Sequence, residues 1–325
     1  MQILMTKAAH GRVRDRLDGD LQAALVTGPD RYELDGRPVE LEALGPEVVW
    51  ISLDSYPAGL IPTLARALLK GPDVRWTQVF SAGLDNPMFK QILAKGVRLS
   101  KSSAQAIPIA EYVLAHALSL LAPIAAQAAA QQARDWRPTP YREIGRTRWV
   151  LAGYGSIGRE IARRIKPFGV DLTVVRHAAG AADLADRTVT LKDLAPLLPQ
   201  TDVVVLACAL NDETRHLANT AFFEVLKPGA ILINIGRGGL VDEDALRAGL
   251  DRDQPAHAVL DVFETEPLPA DSWFWDHPKV RVSAHTSNSG DGNLGRGDEL
   301  FLENLRRYRA GEPLLHEADK REVGL

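Results

Sequence analysis

A single cysteine, Cys208, stands in the whole chain. That excludes an intramolecular disulfide and any zinc site built from several cysteines, and no metal is expected. No charge of one sign dominates either. Thirty-eight basic residues face 42 acidic ones, for a net charge of -4, too balanced to grip nucleic acid or an anionic membrane surface. Long hydrophobic runs are missing too: the longest apolar stretch, residues 109–126, is interrupted by Glu111, His116 and Pro123, which argues against a membrane span. The first seventeen residues, MQILMTKAAHGRVRDRL, lack the apolar core of a signal peptide. These absences leave the expectation of a cytoplasmic protein with no nucleic-acid or membrane partner.

What is present is an ordinary globular mixture, 46% hydrophobic and 25% charged, which excludes a disordered or fibrous chain. A length of 325 residues predicts two domains, each able to bury a core. Residues 48–53, VVWISL, read as a buried strand, residues 60–69, LIPTLARALL, as a helix stopped by Gly71-Pro72, and residues 75–80, RWTQVF, as a second strand. Strand, helix, strand is the signature of a parallel α/β fold. Pro108 opens a long helix, the alanine-rich stretch Ala125–Ala133 is helical by propensity, and Pro138-Thr139-Pro140 breaks the chain before a new strand.

The most informative segment is WVLAGYGSIG, residues 149–158. An apolar strand runs into Gly153-Tyr154-Gly155-Ser156-Ile157-Gly158, and REIARRIKPFG continues as a helix. The first glycine permits a tight turn, the second lets the backbone approach a pyrophosphate, and the third lets helix pack on strand. Ser156 is no nucleophile elbow, because position 154 is Tyr where that motif needs glycine. A second strand, Asp171–Val175, ends at Arg176-His177. An NAD site places a carboxylate about twenty residues past the glycines; here that position is Arg176. A guanidinium attracts a 2′-phosphate that a carboxylate would repel, so NADP(H) is expected as the preferred cofactor, with NAD(H) possible. His177 is a weaker candidate for the same phosphate.

Further strands, 202–206, 230–235 and 256–261, end in polar or glycine-rich residues, where open α/β sheets bind ligands. Three strand ends carry chemistry: Asn234-Ile235-Gly236-Arg237-Gly238, the loop Asp261-Val262-Phe263 leading to Glu266-Pro267, and Ser283-Ala284-His285-Thr286-Ser287. Singly, an arginine or a glutamate is a surface charge and a histidine a structural residue. Together, behind a dinucleotide fold, they are what hydride transfer needs.

These motifs closely resemble the D-isomer-specific 2-hydroxyacid dehydrogenase family. NIGRGGLVDEDAL is similar to its arginine motif, LDVFETEPLP to its glutamate motif and SAHTS to its histidine motif. Ser81-Ala82-Gly83-Leu84-Asp85 looks like its substrate-carboxylate loop. The resemblance implies two doubly wound parallel-sheet domains, a Rossmann cofactor domain (103–287) inserted in a flavodoxin-like substrate domain (1–102 and 288–325), with the active site in the cleft between them. It implies that Arg237 holds and polarises the substrate, that His285 is the acid–base residue, that Glu266 orients His285, and that the amides of Ala82 and Gly83 bind the carboxylate. By the same carry-over, Ser156, Ile157, Cys208, Ala209, Thr214, Ile235 and Gly236 line the cofactor, and Asp261 contacts the nicotinamide carboxamide. The helices at 109–133 look like the family's dimer arm, implying a homodimer. Trp136 and Trp273-Phe274-Trp275 are either pocket walls or core. The expected activity is NADPH-linked reduction of a small 2-keto acid, glyoxylate or hydroxypyruvate. The alternatives are an NAD-linked dehydrogenase for another D-2-hydroxy acid and a nicotinamide-sensing corepressor of the same fold.

Overall fold

The computed structural model describes residues 1–177, 180 and 182–325. It forms two compact units: Met1–Gln105 with Asp291–Leu325, and Ala106–Gly290. The first unit begins β1 (Gln2–Thr6), α1 (Lys7–Val13), β2 (Gln22–Gly28), β3 (Arg31–Leu34), β4 (Arg37–Val39) and β5 (Val48–Ile51). It continues α2 (Ile61–Lys70), β6 (Trp76–Val79), α3 (Pro87–Ala94) and β7 (Arg98–Ser100). Its sheet has the order β4-β3-β2-β1-β5-β6-β7. The strands from β2 to β7 in that order are parallel, while β3 and β4 add an antiparallel edge. Val48, Val49, Trp50 and Ile51 are all buried, as a strand covered on both faces requires. Thr6 starts α1 by accepting the Ala9 N–H at 3.0 Å, and Asn86 does the same for α3 ahead of Pro87.

The second unit contains α4 (Ala106–Leu121), α5 (Ile124–Ala133), β8 (Arg148–Ala152), α6 (Ser156–Ile165), β9 (Asp171–Arg176), β10 (Arg187–Thr190) and β11 (Val203–Leu206). After these come α7 (Thr220–Val225), β12 (Ile231–Asn234), α8 (Glu243–Asp251), β13 (His257–Leu260) and β14 (Val280–Val282). All its strands are parallel, in the order β10-β9-β8-β11-β12-β13-β14. The strand order reverses between β8 and β11, the crevice where doubly wound sheets bind dinucleotides. Ala152, Leu206 and Asn234 stand in one register row, so the loops after β8, β11 and β12 leave the sheet side by side. Two apolar clusters cover its faces, one around Trp149 and Ile161 and the other around Phe223 and Phe274.

The chain then returns to the first unit as α9 (Asn293–Arg309). Phe301 on α9 stacks on Trp50, with ring centroids 4.0 Å apart, and on Trp76 at 5.7 Å. Apart from Ala130, α5 is exposed along its length, and Ile124, Trp136 and Tyr141 are exposed around it. Among the described residues no single helix is long and apolar enough to cross a membrane; α4 and α5 reach that length and composition only together, across a 54° bend.

Candidate active site

Backbone demands explain two of the three glycines after β8, and open space marks the third. Gly153 has φ +104°, and a Cβ there would lie 2.6 Å from the Ala207 carbonyl oxygen. At Gly158 a Cβ would stand 2.3 Å from the Gly153 carbonyl, so helix and strand pack here only without a side chain. Among the described residues, a Cβ on Gly155 would meet nothing within 4 Å. Gly155 is also the N-cap of α6, and no side chain caps that end. Uncapped amides and the positive end of the helix dipole therefore border free space, which fits the diphosphate of a dinucleotide.

The neighbouring loops form the rest of this rim. Cys208 and Ala209 follow β11. Burial pushes the Cys208 thiol up to about 11, so at neutral pH it is an uncharged wall and not a nucleophile. Thr214 is buried and tied into its own loop: its Oγ1 donates to the Ala209 carbonyl at 2.7 Å and accepts the Asn211 N–H at 2.8 Å. Ile235 and Gly236 are buried beside it. At the end of β9, Arg176 lies with its Cζ 5.9 Å from the Tyr154 ring centroid. His177 pairs with Glu213 at 3.2 Å on the surface, a partner that weakens its candidacy for a phosphate.

The arginine loop is stapled from beneath. Asn234, fully buried at the end of β12, accepts the Gly236 N–H at 3.1 Å and donates to the Arg237 carbonyl at 2.9 Å. The Arg237 guanidinium donates to the Gly236 carbonyl at 2.7 Å. A Cβ on Gly238 would fall 1.9 Å from the Phe263 carbonyl carbon, so this loop touches the Glu266 loop backbone to backbone. Glu266 uses both oxygens, one accepting the Phe263 N–H at 3.0 Å and the other meeting His285 Nδ1 at 2.9 Å.

His285 has φ +54°, a left-handed conformation that L-residues adopt at a cost of about 1–2 kcal/mol. Asp261, past the end of β13 and only 1% exposed, holds this loop. Its carbonyl accepts the His285 N–H at 2.9 Å. Its carboxylate accepts the N–H groups of Thr286 at 2.8 Å and Ser287 at 3.0 Å, and the hydroxyls of Ser283 at 2.6 Å and Ser287. Tyr112 on α4 extends the chain through its hydroxyl, 2.7 Å from that of Ser283. Sequence reasoning missed this clamp; its signal was the cluster of hydroxyl residues Ser283, Thr286 and Ser287 around His285.

In the first unit, Ala82 and Gly83 lie in the partly exposed loop after β6, which is pinned where the Ser81 carbonyl accepts the Ser102 N–H at 3.0 Å. The Ser81 hydroxyl is buried without a hydrogen-bond partner among the described residues. Phe274 is core at 1% exposure, Trp273 stacks on it at 4.1 Å, and Trp275 donates to the Pro269 carbonyl at 2.8 Å. Trp136 is fully exposed. Among the described residues no group of three or more His, Cys, Asp or Glu could hold a metal ion.

Residues 114–287 match the family model described as D-isomer specific 2-hydroxyacid dehydrogenase, NAD binding domain. An (S)-sulfolactate dehydrogenase of Chromohalobacter salexigens is 34% identical over 74% of this chain and 79% of its own. A glyoxylate/hydroxypyruvate reductase B of an Enterobacter species is 33% identical over 72% and 76%. The crystal structure of a D-isomer specific 2-hydroxyacid dehydrogenase from Xanthobacter autotrophicus, in complex with NADPH and MES, is 25% identical and covers 98% of each chain with a TM-score of 0.76. One from Aeromonas salmonicida is 27% identical, also over 98% of each, with a TM-score of 0.77. With its glycine cradle, its His285–Glu266 pair and this match over more than half its length, the chain belongs to the D-isomer specific 2-hydroxyacid dehydrogenase family, and it is an oxidoreductase with an NAD-binding domain.

Proposed function

We propose that this enzyme is an NADPH-preferring reductase of small 2-keto acids of the glyoxylate or hydroxypyruvate class. The observation that carries the chemistry is the contact of His285 Nδ1 with Glu266 at 2.9 Å, which leaves Nε2 as the atom for proton exchange. Arg176 at the end of β9, in place of a carboxylate, carries the cofactor preference. A bound nicotinamide cofactor supplies the hydride. The amides at the start of α6 hold its diphosphate, and Arg176 faces its 2′-phosphate.

Arg237 binds the substrate carboxylate and draws electron density toward the keto oxygen. The Ala82 and Gly83 N–H groups are further donors to a carboxylate. His285, as imidazolium, passes its Nε2 proton to the keto oxygen as that oxygen becomes a hydroxyl; in oxidation the neutral ring takes it back. Glu266 fixes the ring and compensates its charge in the protonated state. The exposed α5 with Ile124, Trp136 and Tyr141 supports a homodimer through this arm, and the composition supports a cytoplasmic site of action.

Consumption of NADPH and of NADH at 340 nm, with glyoxylate, hydroxypyruvate and bulkier 2-keto acids, tests the reading. Oxidation of (S)-sulfolactate is run as the opposite arm, because that relative is 34% identical. Turnover of glyoxylate or hydroxypyruvate with NADPH supports the proposal. Turnover only of sulfolactate, or only with NADH, replaces it.

A further inference from the structure

Tyr154, between the first two glycines, is anchored at both ends of its side chain. Its ring is buried, and its hydroxyl donates to Asp183 at 2.7 Å and accepts the Leu184 N–H at 3.2 Å. Two guanidinium groups lie against that ring: Arg159 with Cζ 5.4 Å from the centroid and Arg176 at 5.9 Å. They come from different elements, Arg159 from the first turn of α6 and Arg176 from the last position of β9.

The other arginines of α6 behave differently. Arg163 and Arg164 each pair with Glu160, and Arg164 also with Glu111. Among the described residues neither Arg159 nor Arg176 has a carboxylate within ion-pair distance. The acid of this cluster, Asp183, is turned to the phenol hydroxyl; its carboxyl is held below the usual range first by that hydroxyl and more weakly by the charges of Arg159 and Arg163. Two like charges stacked on one anchored ring, beside a diphosphate cradle, make an excess of positive charge that a dianion would relieve.

We propose that Arg159 and Arg176, both laid on Tyr154, form a two-arginine clamp for the 2′-phosphate of an NADP-type dinucleotide, so that Arg159 is a specificity-determining residue. The clamp rests on the NADPH reading above. Tyr154 is its platform: it limits the freedom of two long side chains before the phosphate arrives, so less is lost on binding. The 2′-phosphate is the group that distinguishes the two cofactors, so this clamp acts on choice between them and not on the proton transfer at His285.

Calorimetric titration of the full-length protein with adenosine 2′,5′-bisphosphate and with 5′-AMP separates the two ideas without turnover. The unmutated protein should bind the bisphosphate about tenfold or more tightly than AMP, the effect of one or two charge-assisted contacts. Arg159→Gln should lose about tenfold for the bisphosphate and under about twofold for AMP, and Arg159→Lys should recover part of it. Equal binding of both ligands by the unmutated protein overturns the NADPH reading and the clamp with it. Discrimination that Arg176→Gln abolishes and Arg159→Gln leaves intact overturns the clamp alone. An equal loss for both ligands in Arg159→Gln places Arg159 on the 5′-phosphate and also overturns it. Arg159 is exposed, so these variants should fold, which an unchanged Tm would verify.

Discussion

His285 stands at φ +54° because Asp261 holds the backbone around it: the Asp261 carbonyl takes the His285 N–H, and its carboxylate takes the next two. Replacing Asp261 by alanine keeps the carbonyl contact but frees the donors held by the carboxylate, at about 1–3 kcal/mol for each one left unsatisfied. Asp261→Ala should therefore lower the urea midpoint and depress kcat. Asp261→Asn, which keeps acceptor capacity on one oxygen, should fall between the two. Unchanged stability in Asp261→Ala would show that the loop holds its shape without the carboxylate.

For the acid–base pair, His285→Ala should cost on the order of 10²–10⁴-fold in kcat, the usual worth of a positioned proton donor. Glu266→Gln keeps a hydrogen-bonding group against Nδ1 but removes its charge. A charge-assisted bond contributes about 1.5–3 kcal/mol, so kcat should fall by about 10–100-fold with KM little changed. Single-turnover rates for both variants check this; a loss confined to KM would contradict an orienting role for Glu266.

Substrate charge gives a third expectation. With Arg237 on the carboxylate, a 2-keto acid should exceed its methyl ester by about 10–100-fold in kcat/KM. Arg237→Gln should erase most of that difference. Equal rates for acid and ester in the unmutated enzyme would remove Arg237 from the carboxylate.

Much of this was legible in the sequence, and the exceptions have physical causes. Strands β8, β11, β12 and β13 carry the apolar runs 149–152, 203–206, 231–233 and 258–260, which are buried because both faces of the sheet are covered. The edge strands β4 and β10, and β3 beside β4, carry Arg37, Arg187, Arg31 and Glu33, so no apolar pattern marks them; the turn Asp35-Gly36, with φ of +50° and +76°, was the local signal for β3 and β4. The chemistry-bearing Arg237, Glu266 and His285 sit in compact motifs. The partners that set their geometry do not: Ser283, Thr286 and Ser287 lie more than twenty residues from Asp261, and Asp183 lies 29 from Tyr154. Hydrogen bonds between neighbouring loops depend on strand order, which a motif does not contain.

Packing between loops yields a fourth prediction. Gly238 has no room for a Cβ against the Phe263 backbone. Gly238→Ala should therefore separate the Arg237 and Glu266 loops or destabilise the unit by about 1–3 kcal/mol. Thermal melting together with kcat distinguishes these results, and an alanine variant normal in both would show that the loops need no such contact.

Asp54 should contribute to the acid sensitivity of the first unit. Burial pushes the Asp54 carboxyl up, but hydrogen bonds from Thr6, Ser52 and Arg12, together with the Arg12 charge, outweigh it and hold the carboxyl below its ordinary value. A depressed folded value stabilises the fold fully above the unfolded value, about 4, and that contribution fades as pH falls through the folded one. Asp54→Asn should be less stable than the unmutated protein at pH 7 and show a flatter decline between about pH 5 and 2. Urea midpoints across that range provide the measurement; parallel declines would assign the acid limb elsewhere.

The unit Ala106–Gly290 interrupts the other one in the chain, and this fixes an order of events on the ribosome. As the polypeptide emerges, β1 to β7 appear first, yet Trp50 and Trp76 must wait for Phe301 to cover them. The inserted unit needs nothing that follows Gly290 and can close once that residue is free, since domains fold as units during synthesis. The segment made first is thus the last to be finished, and through that interval its two tryptophans are the surface a chaperone would have to shield.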